Sequence, residues 1–154
     1  MVLSNDTLNR DDSLTYSGAG GVPQVVGAAY TNNDTNPATG TTLYVLDALT
    51  NSLFVQTPPN DGVLDSASAV ALGTDIPSTN VGFDIPLFGT NNGYVSFNDT
   101  FYSLMVGTGP LVAIGQIGGA GEEITDIAIV PEPTTSLLLL GGLGALLTAR
   151  RRRV

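Results

Sequence analysis

Apolar stretches of four to seven residues alternate with turn-forming stretches along most of this chain. They run at 25–30, 42–47, 53–56, 69–72, 81–85, 93–97, 101–106, 111–116 and 124–130. Val, Ile, Leu, Tyr and Phe dominate them, a composition that suits pleated, partly buried strands. Turn formers separate them: Asn36-Pro37-Ala38-Thr39-Gly40, Thr50-Asn51, Pro58-Pro59-Asn60-Asp61-Gly62, Asn91-Asn92-Gly93 and Thr108-Gly109-Pro110. Asp61-Gly62 and Asn92-Gly93 are expected to supply the positive φ values of tight hairpins. Before Pro131 no window of about twelve residues has a helical period. Residues 1–130 therefore read as an all-β, antiparallel domain.

Residues 43–46 are apolar on both alternating sets, as in strands covered on both faces. Leu43-Tyr44-Val45-Leu46-Asp47, a turn at Thr50-Asn51 and Leu53-Phe54-Val55 are echoed by Phe101-Tyr102-Ser103-Leu104-Met105, a turn at Thr108-Gly109 and Leu111-Val112-Ala113-Ile114. Both read as hairpins with an aromatic second position. They predict antiparallel hairpin repeats of a partial, propeller-like kind, with a sandwich as the alternative. Phe101 follows Leu43 by 58 residues, which is longer than the usual blade period of about 40 to 50. Tyr44 and Tyr102 are expected to pack between repeats and not to touch a ligand.

After Val130 the pattern changes. Pro131-Glu132-Pro133 is followed by an uncharged stretch, 134–149, and then by Arg150, Arg151, Arg152 and Arg153. Leu137, Leu138, Leu139, Leu140, Leu143, Leu146 and Leu147, with intervening glycines and alanine, leave a helix no polar face, so it belongs in lipid. At about 1.5 Å per residue the stretch is roughly 24 Å long, slightly short of a hydrocarbon core of about 30 Å. It spans if the bilayer thins or the arginines snorkel. The arginine cluster stays on the cytoplasmic side and places 1–130 across the membrane. Pro131 and Pro133 end the helix upstream and hold Glu132 in an exposed, extended segment.

Charge sharpens the division. Of 14 acidic residues all but Glu132 precede Pro131, against Arg10 as the sole cation of that part, and the chain has no histidine or cysteine. An acidic surface of this kind repels nucleic acid and anionic membranes, which excludes nucleic-acid binding. Without cysteine or histidine there are no disulfides, thiolate or imidazole metal ligands, or usual nucleophilic triads. Chemistry is left to carboxylates, hydroxyls, tyrosine and one arginine.

The tail resembles the PEP-CTERM sorting signal of Gram-negative bacteria. The match is Pro131, Glu132 and Pro133 for the motif, the leucine helix, and Arg150, Arg151, Arg152 and Arg153 for the terminal cluster. The resemblance implies export, cleavage by a membrane protease of the exosortase type, and release to the cell surface or matrix. An uncleaved membrane anchor is the alternative. Val25-Val26-Gly27-Ala28-Ala29-Tyr30-Thr31-Asn32-Asn33, Thr41-Thr42-Leu43-Tyr44, Asp47, Gln56-Thr57-Pro58-Pro59-Asn60-Asp61-Gly62, Gly82-Phe83-Asp84-Ile85 and Ile124-Thr125-Asp126-Ile127-Ala128-Ile129 are similar to the bacterial family called domain of unknown function 4394. That resemblance runs from about Leu3 to Val130 and implies an exported, repeat-built β protein with no implied activity. Family members are longer at the N-terminus, and Met1-Val2-Leu3-Ser4-Asn5-Asp6-Thr7 is no signal peptide. A truncated product lacking the family's first half is therefore expected.

Local constellations add little. Asn32-Asn33-Asp34-Thr35-Asn36 gathers oxygen ligands for calcium, yet lacks the glycine and distal glutamate of an EF-hand loop and reads better as turn chemistry. No cofactor is expected, with calcium at this loop as the alternative. Asn5, Asn33 and Asn98 open Asn-Asp-Thr sequons. Gly118-Gly119-Ala120-Gly121 is followed by no helix and makes no phosphate cradle. A carboxylate-based glycosidase would need pairs such as Asp84 with Asp99 or Glu122 with Asp126. The sequence thus predicts an all-β repeat domain over 1–130 and a sorting signal with a C-terminal apolar helix over 131–154. Its expected role is structural or binding, with no catalytic residues, and extracellular polysaccharide is the candidate ligand. An envelope carbohydrate-active hydrolase is the alternative.

Overall fold

The computed structural model describes residues 12–130, apart from 19, 33, 35, 37, 88–91 and 120. Among them run β1 (Thr15–Tyr16), β2 (Val25–Tyr30), β3 (Leu43–Asp47), β4 (Ser52–Gln56), β5 (Val63–Ala71), β6 (Val81–Asp84), β7 (Asn92–Phe97), β8 (Thr100–Met105) and β9 (Val112–Gln116). Two sheets form, in the orders β1-β5-β4-β3-β2 and β6-β7-β8-β9. Strands β2 to β5 and β6 to β9 are each a four-stranded antiparallel meander, and β1 adds in parallel to β5. The all-β, antiparallel expectation holds.

Turn chemistry fixes the registers. Asn51 (φ 50°) ends the β3–β4 turn and Asn98 (φ 55°) opens the two-residue β7–β8 turn. Asparagine tolerates this left-handed region better than other side chains with a Cβ. Gly62 takes φ 66° after a short 3-10 turn at Pro59–Asp61, as expected. Gly93 does not: it lies inside β7, buried, where a Cβ would stand 3.2 Å from Phe83 and 3.3 Å from Val106. Glycine serves there for close packing and not for a turn.

The two faces of the first sheet bury separate clusters. Leu46 and Leu53, opposite each other on β3 and β4, meet Val81, Phe83, Val95, Phe97 and Leu104 of the second sheet. Val45, Phe54 and Leu64 point the other way and are packed by Leu14, Tyr16, Val25 and Leu43. Alternation along β3 therefore serves both clusters, as its uniformly apolar sequence predicted. Tyr44 and Tyr102 both pack against the cluster joining the sheets, and Tyr102 stacks on Phe97 at 4.5 Å.

The meanders superimpose pair by pair in their hydrogen-bonded registers. Tyr44 opposite Val55, Val45 opposite Phe54, and Leu46 opposite Leu53 correspond to Tyr94 opposite Ser103, Val95 opposite Tyr102, and Ser96 opposite Phe101. The repeat is thus 50 residues from Tyr44 to Tyr94 and 48 from Leu53 to Phe101. The expected echo of the β3–β4 hairpin in 101–114 joined the second and third strands of one meander to the third and fourth of the other, which lengthened its offset. Exits from the last strands match too: the Leu72 amide donates to the Asn51 carbonyl (2.9 Å) and the Ile117 amide to the Asp99 carbonyl (2.9 Å).

Two expected strands differ. β5 begins at Val63, not at 69, because Ser68 patches its bulge: the Val55 amide donates to Ser68 Oγ (2.8 Å), which donates to the Asp65 carbonyl (2.7 Å). Residues 124–130 join no ladder. They lie against β6 instead, where a Cβ on Gly82 would come within 2.7 Å of the Ile127 amide nitrogen. Gly27 on β2 makes the matching approach to Phe83 Cβ, at 2.9 Å. Among the described residues no helix is long and apolar enough to cross a membrane; the apolar helix expected at 137–147 lies outside them.

Candidate functional site

Pro131, Glu132, Pro133, the leucines from Leu137 to Leu147 and Arg150, Arg151, Arg152 and Arg153 also lie outside the described residues. Within the β domain the most elaborate polar constellation surrounds Asp47, at the end of β3 and fully buried. Its Oδ1 accepts from the amides of Gln24 (2.7 Å) and Leu49 (3.2 Å). Its Oδ2 accepts from the Tyr16 hydroxyl (2.5 Å), the Thr50 amide (3.2 Å) and Thr50 Oγ1 (2.6 Å). Burial alone pushes this carboxyl up, but the bonds from Thr50, Tyr16, Gln24 and Leu49 outweigh it and hold its pKa below the ordinary value. Tyr16 is pushed up to about 12, by burial first and then by its bond to Asp47 and the neighbouring charge. A carboxylate so fully occupied ties the N-terminal segment and the β3–β4 turn to the sheet; it has no lone pair left for a substrate.

The acids weighed for catalysis are dispersed. Asp84 lies opposite Tyr94, and Asp99 is five residues beyond Tyr94. Only Tyr94 to Phe97 is strand, and those three steps at about 3.3 Å each put roughly 10 Å of strand between the Asp84–Tyr94 pair and the β7–β8 turn that carries Asp99, against the 5 to 9 Å or so that a glycosidase pair spans. Asp84 Oδ2 accepts from the Ile129 amide (2.6 Å), Asp126 Oδ1 from the Ile127 amide (2.8 Å) and Glu122 Oε2 from the Gly119 amide (3.4 Å). Asp126 and Glu122 support local backbone, whereas Asp84 holds the distant segment laid along β6. The structure instead gathers Asp99 with Glu122 and Glu123, beside Asn98 and Gly121, around an open cleft of about 370 Å³. Gln116 Nε2 donates to Asp99 Oδ2 there (2.9 Å). Such a lining accepts donors, whether sugar hydroxyls or cations. The grouping depends on the β7–β8 turn meeting the chain after β9, a long-range contact that strand spacing does not disclose.

In the loop weighed for calcium, the Asp34 carboxylate accepts from the Asn36 amide (2.8 Å) and from Thr39 Oγ1 (2.8 and 2.9 Å). Asn36 Oδ1 accepts from the Ala38 amide (3.1 Å), and Asn32 Nδ2 donates to the Gly40 carbonyl (2.8 Å). These are turn-stabilising bonds of the Asx kind. Asp47 was the residue that sequence reasoning missed. Its signal was present as Asp47-Ala48-Leu49-Thr50-Asn51, an aspartate positioned to cap the two amides and hydroxyl that follow it.

The model of the family described as domain of unknown function (DUF4394) matches residues 1–128, and that of the PEP-CTERM protein-sorting motif matches 130–153. No curated protein and no solved structure matches the chain. The chain belongs to the DUF4394 family.

Proposed function

We propose that this DUF4394 protein with a PEP-CTERM tail is an exported, surface-sorted, non-catalytic structural or binding protein of the envelope or extracellular matrix. The observation that carries the reading is the matched sorting motif over 130–153, directly after a β domain. The tail spans the inner membrane before an exosortase-type protease cuts near Pro131-Glu132-Pro133. The β domain then works outside the cytoplasm, as a propeller-type stack of four-stranded repeats. The registers at 50 and 48 residues support the stack, since they fall near the blade period of about 40 to 50. Carboxylates committed to backbone amides, and the separation of Asp84 from Asp99, favour binding over hydrolysis. Any ligand, extracellular polysaccharide first, would be held by the acidic cleft through donated hydroxyls, with no cofactor required.

Mass spectrometry of the protein recovered from its native envelope tests the sorting step. A species ending near Pro131 is expected, and a tail retained to Val154 would overturn it. Polysaccharide turnover that is lost on Asp84→Asn or Glu122→Gln would replace the binding reading with the hydrolase.

A further inference from the structure

We propose that the notch at the open end of the β3–β4 hairpin is a binding site for one uncharged sugar unit of a glycan. Pairing of the two strands ends with Leu43 opposite Gln56. Beyond that pair both arms turn to other partners: the Thr42 amide and carbonyl bond to Thr31, and the Thr57 amide donates to the Val63 carbonyl (3.1 Å). Pro58 and Pro59 follow, with no amide hydrogen to continue a ladder. The arms therefore splay, and a cavity of about 160 Å³ opens between 41–42 and 57–59.

The second meander shows that the fold does not require this opening. Its matching strands go on pairing, Gly93 opposite Leu104 and Asn92 opposite Met105, and the residue in the place of Gln56 is the buried Leu104. Gln56 is nearly as deep, at 8% exposed. Its Nε2 donates to the Pro59 carbonyl. Its Oε1 accepts from no described residue, and unlike Ser96 Oγ it is not sealed inside the fold. A polar side chain thus holds a core position with half of its amide left over, opening on the cavity that it lines. A few convergent polar groups of this kind on an apolar wall make a ligand site.

The lining selects the ligand. It carries no charge, so nothing in it offsets the dehydration of an ion. Gln56 Oε1 can only accept, which demands an O–H or N–H from the ligand, while the hydroxyls of Thr41, Thr42 and Thr57 both give and take. No described residue bonds to those three hydroxyls. Leu43, Val55 and Pro59 supply apolar wall for C–H groups. At roughly 30 Å³ per water the cavity holds about five waters. That is well below the 300 Å³ or so of a drug-sized pocket, so it takes one ring and not an oligomer. Thr41, Thr57 and Pro59 are exposed at its mouth, which leaves a glycan chain free to continue outside. A hydroxylated ring with C–H faces, a pyranose unit, meets all of these terms. The notch shares no residue with the acidic cleft and binds independently of it and of the tail.

Saturation-transfer-difference NMR of the full chain, in a zwitterionic detergent without sugar headgroups, tests this with glucose, galactose, mannose and N-acetylglucosamine as probes. Transfer to at least one of them is expected. Gln56→Leu, which copies the second meander at that place, and Thr57→Val should each weaken its binding about tenfold or more, because each leaves a sugar hydroxyl without its partner. Thr57 is exposed, so Thr57→Val keeps the fold, and circular dichroism checks both variants. No transfer to any of the four sugars, or binding that survives both substitutions, would overturn the site. Binding lost on Glu123→Gln but kept in both notch variants would put the sugar in the acidic cleft instead.

Discussion

Replacing Asp47 with asparagine removes one charge and one acceptor oxygen while keeping the side chain's shape. The two orientations of the new amide are not equivalent. With its NH2 group in place of Oδ1, it would face the amides of Gln24 and Leu49, and two backbone donors would be orphaned. With NH2 in place of Oδ2, the hydroxyls of Tyr16 and Thr50 can rotate to accept, and only the Thr50 amide is orphaned. The second arrangement wins. One buried unsatisfied donor costs about 1 to 3 kcal/mol, and neutral bonds replace charge-assisted ones, so a total loss of roughly 2 to 4 kcal/mol is expected. Asp47→Ala, which strands all five donors, should cost more. Urea unfolding at neutral pH measures both. Because the folded carboxyl has a depressed pKa, its contribution is complete above the unfolded value and is lost as pH falls through the folded one. The gap between wild type and Asp47→Asn should therefore narrow below about pH 4. A variant within about 0.5 kcal/mol of wild type at neutral pH would refute the clamp, since that is the range of unremarkable surface changes.

Tyr16 predicts an alkaline limb with the opposite sign. Its raised pKa favours the protonated phenol in the fold, so stability should decline as pH rises from about 10 to about 12; Tyr16→Phe should flatten that decline in parallel melts. Gly27→Ala puts a Cβ 2.9 Å from Phe83 Cβ, near the backbone where little can yield. It should cost about 1 to 3 kcal/mol in urea unfolding, and an unchanged midpoint would mean the sheets do not meet there. Thermal melts in calcium and in chelator should coincide, because the Asp34 oxygens already hold the Asn36 amide and Thr39; a higher midpoint in calcium would identify an ion site.

The strands were legible where apolar residues occupied both alternating sets, as in Leu43 to Leu46, or where aromatic and β-branched residues clustered, as in β8. β1 was not, because Thr15 and Tyr16 form a strand only through β5, and two residues carry no period. The start of β5 was hidden for a related reason: Asp65, Ser66 and Ser68 look like a loop until Ser68 is seen bridging a bulge. Gly93 misled because Asn-Gly is a hairpin signal by local chemistry, whereas here the second sheet's packing against Phe83 and Val106 decides its place. Of the polar sites, the turn around Asp34 was readable from Asx chemistry alone. The Asp47 clamp joins residues 31 apart, and the cleft joins a hairpin tip to the segment after β9, so neither follows from neighbours in the chain.

The parallel ladder of β1 on β5 sets an order of assembly. Every other ladder links strands that follow one another along the chain, so each can zip from a short loop as soon as both arms exist. β1 must wait for the far arm of the meander and close a much longer loop, from Tyr16 to Leu64, through only two registered residues. It is therefore the last piece to dock and the first to peel away. The phenol that seals the buried carboxylate travels with it.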